Sequence, residues 1–428
     1  MHKLFAILDV ILVIGIVLFL LAGMPKLIYY VVGMFCRKTK PLPPASKNHK
    51  FAVIIPARNE SAVITTLLES LKAQTFPREF YDIFIAVEKH DDPTCEIAKK
   101  YDAEVYFKQD FSKNGKGFVL EEVVDHITTN HADKNYEAYF IVDADNILNV
   151  DYLEKMNQAL DAGYDICLGN RNAKNWNGGW LAACTGLNFI RFSHFQNFAR
   201  SKFGITVLLS GTCYYIKTDI VKAHGGWQWH SLTEDVELTT VSALNNYKTH
   251  YIDDAVFFDE QPTDLHTSFN QRKRWVKGYF INGSVYNKEI YKGIGDKNVN
   301  RGSCLELALG ASCMVSFAVA FITYLLTNFI VVFLNLNNPA VMNEALARFI
   351  VAMLGYAAVL YVDTIIMLFV ERKNITMKWY RKLETIFMRP IYSMLYVPIA
   401  FAAIVKPVEW VPIEHKVNSV DQKKKQKK

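Results

Sequence analysis

The distribution of apolar positions divides the chain into a central, more polar region and two strongly apolar ends. Residues 5–24 are apolar except for Asp9, and after a Pro-Lys pair the chain is apolar again up to residue 36. This stretch is long enough to cross a bilayer once with a tilt or kink, and the residues after it lack a signal-peptide cleavage pattern. The pattern predicts an N-terminal transmembrane segment over residues 1–36.

Two further spans are predicted in the C-terminal third. Residues 307–336 carry no charge and residues 349–370 carry only Asp363, so both runs are long enough to cross a membrane. A short loop, 337–348, is predicted between them. An acid inside a span is unfavourable in lipid, so Asp363 either lines a polar path or bonds to a neighbouring helix.

The last apolar stretch, 390–405, is short for a span, and Pro398 interrupts it. The chain beyond it ends in a lysine-rich tail, 423–428, which a full crossing would place outside the cell, against the rule that positive charges stay inside. We therefore predict a re-entrant or interfacial element over residues 385–405.

Basic clusters beside the spans, at 37–40 and 372–382, set the predicted orientation. They predict a multi-pass protein of the cell membrane whose central domain lies in the cytosol. The predicted divisions are the span at 1–36, a basic linker at 37–50, a cytosolic domain at 51–300 and a membrane region at 301–428.

Between the apolar ends, short apolar runs alternate with helix-like segments. The predicted strands are residues 51–55, 81–87, 103–107 and 138–142, and the predicted helices are residues 62–74, 95–101 and 121–129. Alternation of this kind predicts an α/β fold with a largely parallel sheet covered by helices on both faces.

Composition narrows the classes of partner and cofactor. The chain is 51% hydrophobic and 21% charged, with a net charge of +6 whose basic residues cluster beside apolar runs. That placement favours a lipid bilayer as partner and excludes a nucleic-acid groove from the prediction. Seven cysteines without a CxxC pair indicate neither a disulfide framework nor a cysteine zinc site, and no dinucleotide or P-loop motif is present.

Polar residues follow the predicted strands at the points where they end. Arg58-Asn59-Glu60 follows the first strand, Glu88 follows the second, and Asp143-Ala144-Asp145 follows the fourth. Because ligands of such sheets bind at the carboxyl ends of the strands, these side chains are expected to meet at one edge. Two carboxylates one residue apart are suited to a divalent cation that also holds a diphosphate, although an isolated pair is more often a solvated turn.

Two later motifs carry chemistry of their own. Thr233-Glu234-Asp235 opens a helix-like run, so its acids serve either as helix caps or as a general base for an acceptor hydroxyl. The segment 271–275, Gln-Arg-Lys-Arg-Trp, has two possible interpretations. It is either a basic juxtamembrane face or a binding site in which arginine binds a diphosphate and tryptophan stacks on a sugar.

Taken in order, these motifs resemble those of the membrane-embedded family 2 glycosyltransferases, which include hyaluronan, cellulose and poly-N-acetylglucosamine synthases. The resemblance runs from about residue 51 to residue 278 and is specific as a set. It implies a GT-A-like nucleotide-sugar-binding domain, a UDP-sugar donor, Mg²⁺ or Mn²⁺ as cofactor, and a polysaccharide or glycolipid acceptor.

The resemblance also assigns roles to individual residues. It implies that Asp235, beside Glu234, is the catalytic base. The implied nucleotide-sugar-binding residues are Pro56, Arg58, Glu60, Glu88, Lys116, Asp143, Gln271 and Arg274, the implied metal ligands are Asp143 and Asp145, and the implied acceptor-binding residues are Gly211, Thr212 and Trp275. Residues 227–232 resemble the finger-like approach to the base, and residues 410–415 resemble a late tryptophan-to-histidine segment. One departure is Glu88, where the family usually has aspartate, which leaves the choice of nucleotide open.

The leading hypothesis is an inverting synthase that extends a β-linked polysaccharide at the cytosolic membrane face and feeds it into a channel formed by its own spans. One alternative is transfer of a single sugar to a lipid carrier. Another is a non-catalytic membrane receptor for a nucleotide sugar or glycan. These charged motifs do not specify the sugar or the linkage.

Overall fold

The computed structural model describes residues 1–35 and 41–408, which form a central α/β domain flanked by long apolar helices. The basic cluster at 37–40, the late segment at 410–415 and the lysine-rich tail lie outside the described residues.

A single eight-stranded sheet organises the central domain. Its strands are β1 (Phe51–Pro56), β2 (Tyr81–Val87), β3 (Glu104–Phe107), β4 (Ala138–Ile141), β5 (Ile147–Leu148), β6 (Ile166–Ala173), β7 (Tyr214–Lys217) and β8 (Thr249–Asp259), in the spatial order β3-β2-β1-β4-β7-β6-β8-β5. β1 to β4 pair in parallel, as do β6 and β8, whereas β7 runs antiparallel to both its neighbours and β5 runs antiparallel to β8. The prediction of a mostly parallel α/β sheet is confirmed.

Helices cover both faces of this sheet. They are α2 (Ile64–Lys72), α3 (Thr94–Lys99), α4 (Lys116–Asn130), α5 (Tyr152–Asp161), α6 (Trp180–Ile190), α7 (Phe198–Lys202), α8 (Thr218–Ala223), α9 (Glu234–Leu244) and α10 (Leu265–Gly293). A π-helical segment, Arg191–Asn197, joins α6 to α7, and short 3₁₀ turns lie at Arg78–Phe80 and Ala132–Lys134.

Strand β1 shows why buried strands of this sheet appear in the sequence as continuous apolar runs. Val53 and Ile55 belong to the core on one face, while Ala52 and Ile54 belong to the core on the other, and all four are fully buried. A strand covered on both faces needs apolar residues at every position rather than at alternate ones. Strands β1, β2 and β4 are therefore recognisable from the sequence.

The flanking helices are α1 (His2–Phe35), α11 (Arg301–Leu334), α12 (Pro339–Val370), α13 (Trp379–Met394) and α14 (Tyr396–Val405). In the described ranges, four helical segments are long and apolar enough to cross a membrane, with α13 and α14 counted together as Trp379–Val405. The loop predicted at 337–348 is shorter than expected, because α12 begins at Pro339, a residue that starts helices well. Asp363 takes the second of its two expected roles, since the Tyr30 hydroxyl of α1 donates a hydrogen bond to it.

Helix α13 has two different faces. Its buried face packs on α6, where Arg389 donates from Nη1 to the Cys184 carbonyl (2.9 Å) and from Nη2 to Asn188 Oδ1 (2.6 Å). On the opposite face, Trp379 and Phe387 are 74% and 65% exposed. A helix with a packed polar face and an open apolar face is suited to the membrane surface, and the interfacial element at 385–405 stays a prediction.

Candidate active site

A cavity of about 610 Å³ opens at the edge of the sheet where β1, β2 and β4 end. Because β7 runs antiparallel to β4, the residues just before β7 lie at this same edge. Nearly all the site residues predicted from the sequence line this cavity. Those that line it are Pro56, Arg58, Glu60, Glu88, Lys116, Asp143, Asp145, Gly211, Glu234, Asp235, Gln271, Arg274 and Trp275.

Lys116, at the start of α4, connects three of the motifs. Its Nζ donates hydrogen bonds to the Asp143 carboxylate and to the Gly211 carbonyl oxygen (2.6 Å), and it lies 4.0 Å from Glu234 Oε1. Burial lowers the pKa of Lys116, but the carboxylates of Asp143, Glu234 and Asp235 more than offset this and leave the pKa raised. The side chain is therefore a fixed positive charge among the acids.

Glu234 and Asp235 form the first turn of α9 and face the cavity. Burial raises the pKa of Glu234 to about 7, opposed by Lys116 and reinforced by Asp235. Burial also raises the pKa of Asp235, although its Oδ1 accepts a hydrogen bond from the Val236 N–H (2.9 Å). A carboxylate with a raised pKa is a stronger base than an exposed one, which suits proton abstraction from a hydroxyl.

Gly211 keeps space open beside Asp235. Its backbone has φ +85°, in the left-handed region that favours glycine, and a Cβ at this position would stand 3.5 Å from Asp235 Oδ2. A side chain here would fill the position from which a hydroxyl reaches the carboxylate.

Thr212, which is predicted to bind the acceptor, does not line the cavity. Its side chain is buried and lies behind the cavity wall, where Oγ1 accepts from the Asp143 N–H (2.8 Å) and donates to Asn146 Oδ1 (2.5 Å). The hydroxyl thus orders the loop that carries the two acids. A hydrogen bond also fixes the Asp145 carboxylate of this loop, since its Oδ2 accepts from the Glu260 N–H (3.2 Å).

The 271–275 motif lies on α10 and faces the acids across the cavity. Arg274 Nη1 donates to the Leu232 carbonyl (3.2 Å), and the Trp275 ring meets Phe189 edge to face, with ring centroids 5.8 Å apart. The amide oxygen Oε1 of Gln271 is buried and has no hydrogen-bond partner among the residues that the structure describes. A buried polar atom without a partner at a cavity wall is suited to receive one from a ligand.

Glu88 is paired across the mouth of the cavity. Arg58 Nε lies 2.8 Å from Glu88 Oε2, so the first two strand-end loops are linked by an ion pair. The glutamate side chain, which is longer than the aspartate that the family usually has here, thus contacts Arg58.

Several cavity residues carry no motif in the sequence. Arg171 of β6 and Asp259 of β8 form a buried pair in the cavity floor, and burial raises the pKa of Asp259 to about 6 against the opposing charge of Arg171. Leu307 of α11 and Tyr396 of α14 complete the wall. The two residues become neighbours only because β6 pairs with β8, where Asp259 lies opposite Ala173, two residues after Arg171.

Comparison with known proteins shows the family of this chain. The model of the family described as glycosyltransferase like family 2 matches residues 48–278. A probable glycosyltransferase, YdaM of Bacillus subtilis, is 26% identical over 238 residues, which cover 54% of this chain and 55% of that protein. A β-monoglucosyldiacylglycerol synthase of Trichormus variabilis is 24% identical over 232 residues, covering 53% of this chain and 48% of that protein. The chain thus spans about half the length of the curated relatives it matches.

Among solved structures, the mannosyltransferase PcManGT from Pyrobaculum calidifontis, in complex with GDP-Man and Mn²⁺, superposes with a TM-score of 0.55 at 15% sequence identity. The match covers 92% of this chain and 99% of that one. It confirms the expected GT-A-like fold with its long apolar flanking helices. With a family model that matches more than half of its length, this protein belongs to the family 2 glycosyltransferases.

Proposed function

We propose that this glycosyltransferase takes a UDP-sugar at the cytosolic membrane face and extends a β-linked polysaccharide with inversion at the anomeric carbon. The observation that carries the proposal is the continuity of the cavity. It runs from Asp235 to Leu307 and Tyr396, which belong to α11 and α14. A growing polymer with its end at Asp235 would therefore lie against the membrane helices and could be passed into them.

In this proposal Asp143 and Asp145 hold Mg²⁺ or Mn²⁺ together with the donor diphosphate. The residues fit such an ion, because both carboxylates line the cavity and carboxylate oxygens are the ligands that hard divalent cations prefer. When bound, the ion would neutralise charge on the departing nucleoside diphosphate. The mannosyltransferase with a similar fold was solved with Mn²⁺.

Asp235 is the proposed catalytic base. It takes the proton from the acceptor hydroxyl as that oxygen attacks the anomeric carbon, in the space that Gly211 leaves open. A single displacement with one base inverts the configuration at that carbon. Glu234 is 4.0 Å from Lys116, which suits it to holding the ammonium in place.

Arg274 and Gln271 are proposed to bind the donor diphosphate, and Trp275 to carry the acceptor sugar. Charge-assisted hydrogen bonds from arginine stabilise the leaving group as negative charge develops on it. Gln271 Oε1, which has no partner within the described part of the chain, is suited to accept a hydrogen bond from a hydroxyl of the donor or the acceptor. The edge-to-face contact with Phe189 fixes the indole plate on which a sugar ring stacks.

A second candidate is transfer of a single sugar to a lipid acceptor. It is favoured by the similarity to a β-monoglucosyldiacylglycerol synthase, and the same donor site would serve it. The four candidate spans within the described ranges are also few for a channel built by one chain. Both candidates place the acceptor hydroxyl beside Asp235.

The test offers the purified protein in lipid a panel of labelled UDP-sugars with Mg²⁺ or Mn²⁺ and analyses the product by size. A ladder of long saccharides supports the polysaccharide proposal, whereas a glycolipid with one sugar supports the second candidate. Product formation should stop with chelator and with Asp235→Asn. The matched control is Asp219→Asn, which removes an exposed acid on α8, and unchanged transfer by Asp235→Asn would contradict the assignment of the base.

A further inference from the structure

The far end of α4 carries a cluster of metal-ligand side chains that the proposed reaction does not use. Glu104 lies on β3, at the edge of the sheet, and His126 and His131 lie at the C-terminal end of α4. Helix α4 has 15 residues, and at 1.5 Å per residue it separates this cluster from Lys116 and the cavity by roughly 20 Å. The cluster is therefore distinct from the paired acids Asp143 and Asp145.

The three side chains already converge on one point. His126 Nε2 lies 2.7 Å and His131 Nε2 lies 3.1 Å from the same Glu104 oxygen, Oε1. One ligand atom from each residue falls within 4.8 Å of the others. Ligands bound at about 2.0–2.2 Å to a tetrahedral Zn²⁺ stand roughly 3.3 Å apart, so small adjustments of these side chains would admit an ion.

The side chains are also held in place. The Tyr106 ring packs on His126 with centroids 5.1 Å apart, and the Phe84 ring meets His131 edge to face at 5.2 Å. His126 Nδ1 is within 2.9 Å of the Asn130 side-chain amide. A ligating imidazole needs a partner for its second nitrogen, and the amide oxygen of asparagine can provide one after rotation of the group.

The local field favours a cation. His131 is the C-cap of α4, where the helix dipole carries its negative end. A further carboxylate, that of Asp82, lies nearby, where its Oδ2 accepts a hydrogen bond from the Tyr136 hydroxyl (2.6 Å). Lys134 lies 3.9 Å from Asp82 and offsets part of this charge.

We propose that Glu104, His126 and His131 form a binding site for one Zn²⁺ ion, which ties the C-terminal end of α4 to the edge strand β3. Two imidazoles and one carboxylate suit Zn²⁺, whereas Mg²⁺ and Mn²⁺ prefer oxygen ligands. Three protein ligands leave the fourth tetrahedral position to water. The bound ion would stabilise α4, the helix whose other end presents Lys116. This inference does not depend on the donor or acceptor of the proposed function.

The test measures Zn²⁺ bound by the full-length protein in detergent, with any affinity tag removed and after treatment with chelator. Excess Mg²⁺ is present throughout to occupy the acids at 143 and 145. Bound Zn²⁺ is counted by mass spectrometry, and its affinity is found by competition with a chromogenic chelator. The variants are Glu104→Gln and His126→Gln, which leave the helix cap His131 intact, and the control is His266→Gln, an exposed histidine on α10.

The wild type and His266→Gln should bind one Zn²⁺ more per chain than the two cluster variants. Because loss of an outer-shell partner alone weakens metal sites 10–100-fold, loss of a ligand should weaken binding by more than about 10-fold. Zn²⁺ should also raise the Tm of the wild type but not of the variants, since a ligand that binds only the folded state stabilises it. Equal stoichiometry and affinity in all four proteins would overturn the site and leave the histidines as hydrogen-bond donors to Glu104.

Discussion

Arg171 and Asp259 form an ion pair beneath the cavity, with Arg171 Nε donating to Asp259 Oδ2 over 2.7 Å. They stand on the neighbouring parallel strands β6 and β8, and their side chains are 11% and 3% exposed. Arg171 Nη1 also donates to the Ser210 carbonyl (2.6 Å), the residue before Gly211. The pair therefore fixes the backbone that faces Asp235.

Asp259→Asn should be strongly destabilising. It leaves the Arg171 guanidinium buried without its counter-charge, and breaking a buried pair in this way lowers the free energy of unfolding by about 3–5 kcal/mol. The matched control is Asp254→Asn on the same strand, whose carboxylate is 67% exposed and pairs with Lys155 at 3.2 Å. That change should cost about 0–1 kcal/mol. Denaturant unfolding of the purified variants measures the free energy of unfolding of each. Equal losses would show that the buried ion pair stabilises the protein no more than the exposed one.

Gly278→Ala should separate α10 from the start of α9. A Cβ at this position would lie 2.2 Å from Thr233 Oγ1 and 2.9 Å from Thr233 Cβ, so rotation of the threonine alone cannot relieve the contact. Overpacking of this kind costs about 1–3 kcal/mol. Transfer should fall as well, because Gln271 and Arg274 move with the helix.

The control for this substitution is Gly283→Ala in the same helix. There a Cβ would make only ordinary contacts with Asn287, the nearest at 3.5 Å. Replacing a helical glycine by alanine at such a site should stabilise the protein by about 0.5–1 kcal/mol. If both variants keep full stability and activity, the close approach of α10 to Thr233 is not required.

Lys116→Gln should lower turnover. The substitution removes the only positive charge that contacts both Asp143 and the Gly211 carbonyl within the described residues. Loss of one preorganised electrostatic partner typically lowers kcat by roughly 10²–10³-fold. Initial rates at saturating donor measure the loss. Lys113→Gln, which removes a more exposed lysine near Glu121, should retain the wild-type rate, and equal rates for both variants would contradict the role of Lys116.

The acid limb of the pH profile of transfer should lie at higher pH than the limb of an exposed carboxylate. Asp235 acts as a base only when deprotonated, and burial raises its pKa, while that of Glu234 is raised to about 7. Activity is therefore fully present above these pKa values and is lost as the pH falls through them. Glu234→Gln removes a neighbouring negative charge and should shift the limb to lower pH. A wild-type limb near pH 4, as for an exposed carboxylate, would contradict this assignment.

The sequence alone determined the parallel sheet of this protein, the polar edge of that sheet and the flanking apolar helices. Strands buried on both faces, such as β1, must be apolar throughout, and polar residues must then cluster where those strands end. That requirement made Glu88, Asp143 and Asp145 recognisable as one edge of a parallel sheet, and spans of uncharged residues marked the flanking helices.

The tertiary structure decided what the remaining polar residues do. Strand β6 carries Asn170, Arg171 and Asn172 because it passes beneath the cavity, so its sequence lacks the apolar pattern of a buried strand. The antiparallel placement of β7 puts Gly211 in the cavity and Thr212 behind it, although the two are adjacent in sequence. Pairings between residues almost ninety positions apart, such as Arg171 with Asp259, arise only when strands become neighbours, and no local pattern records them.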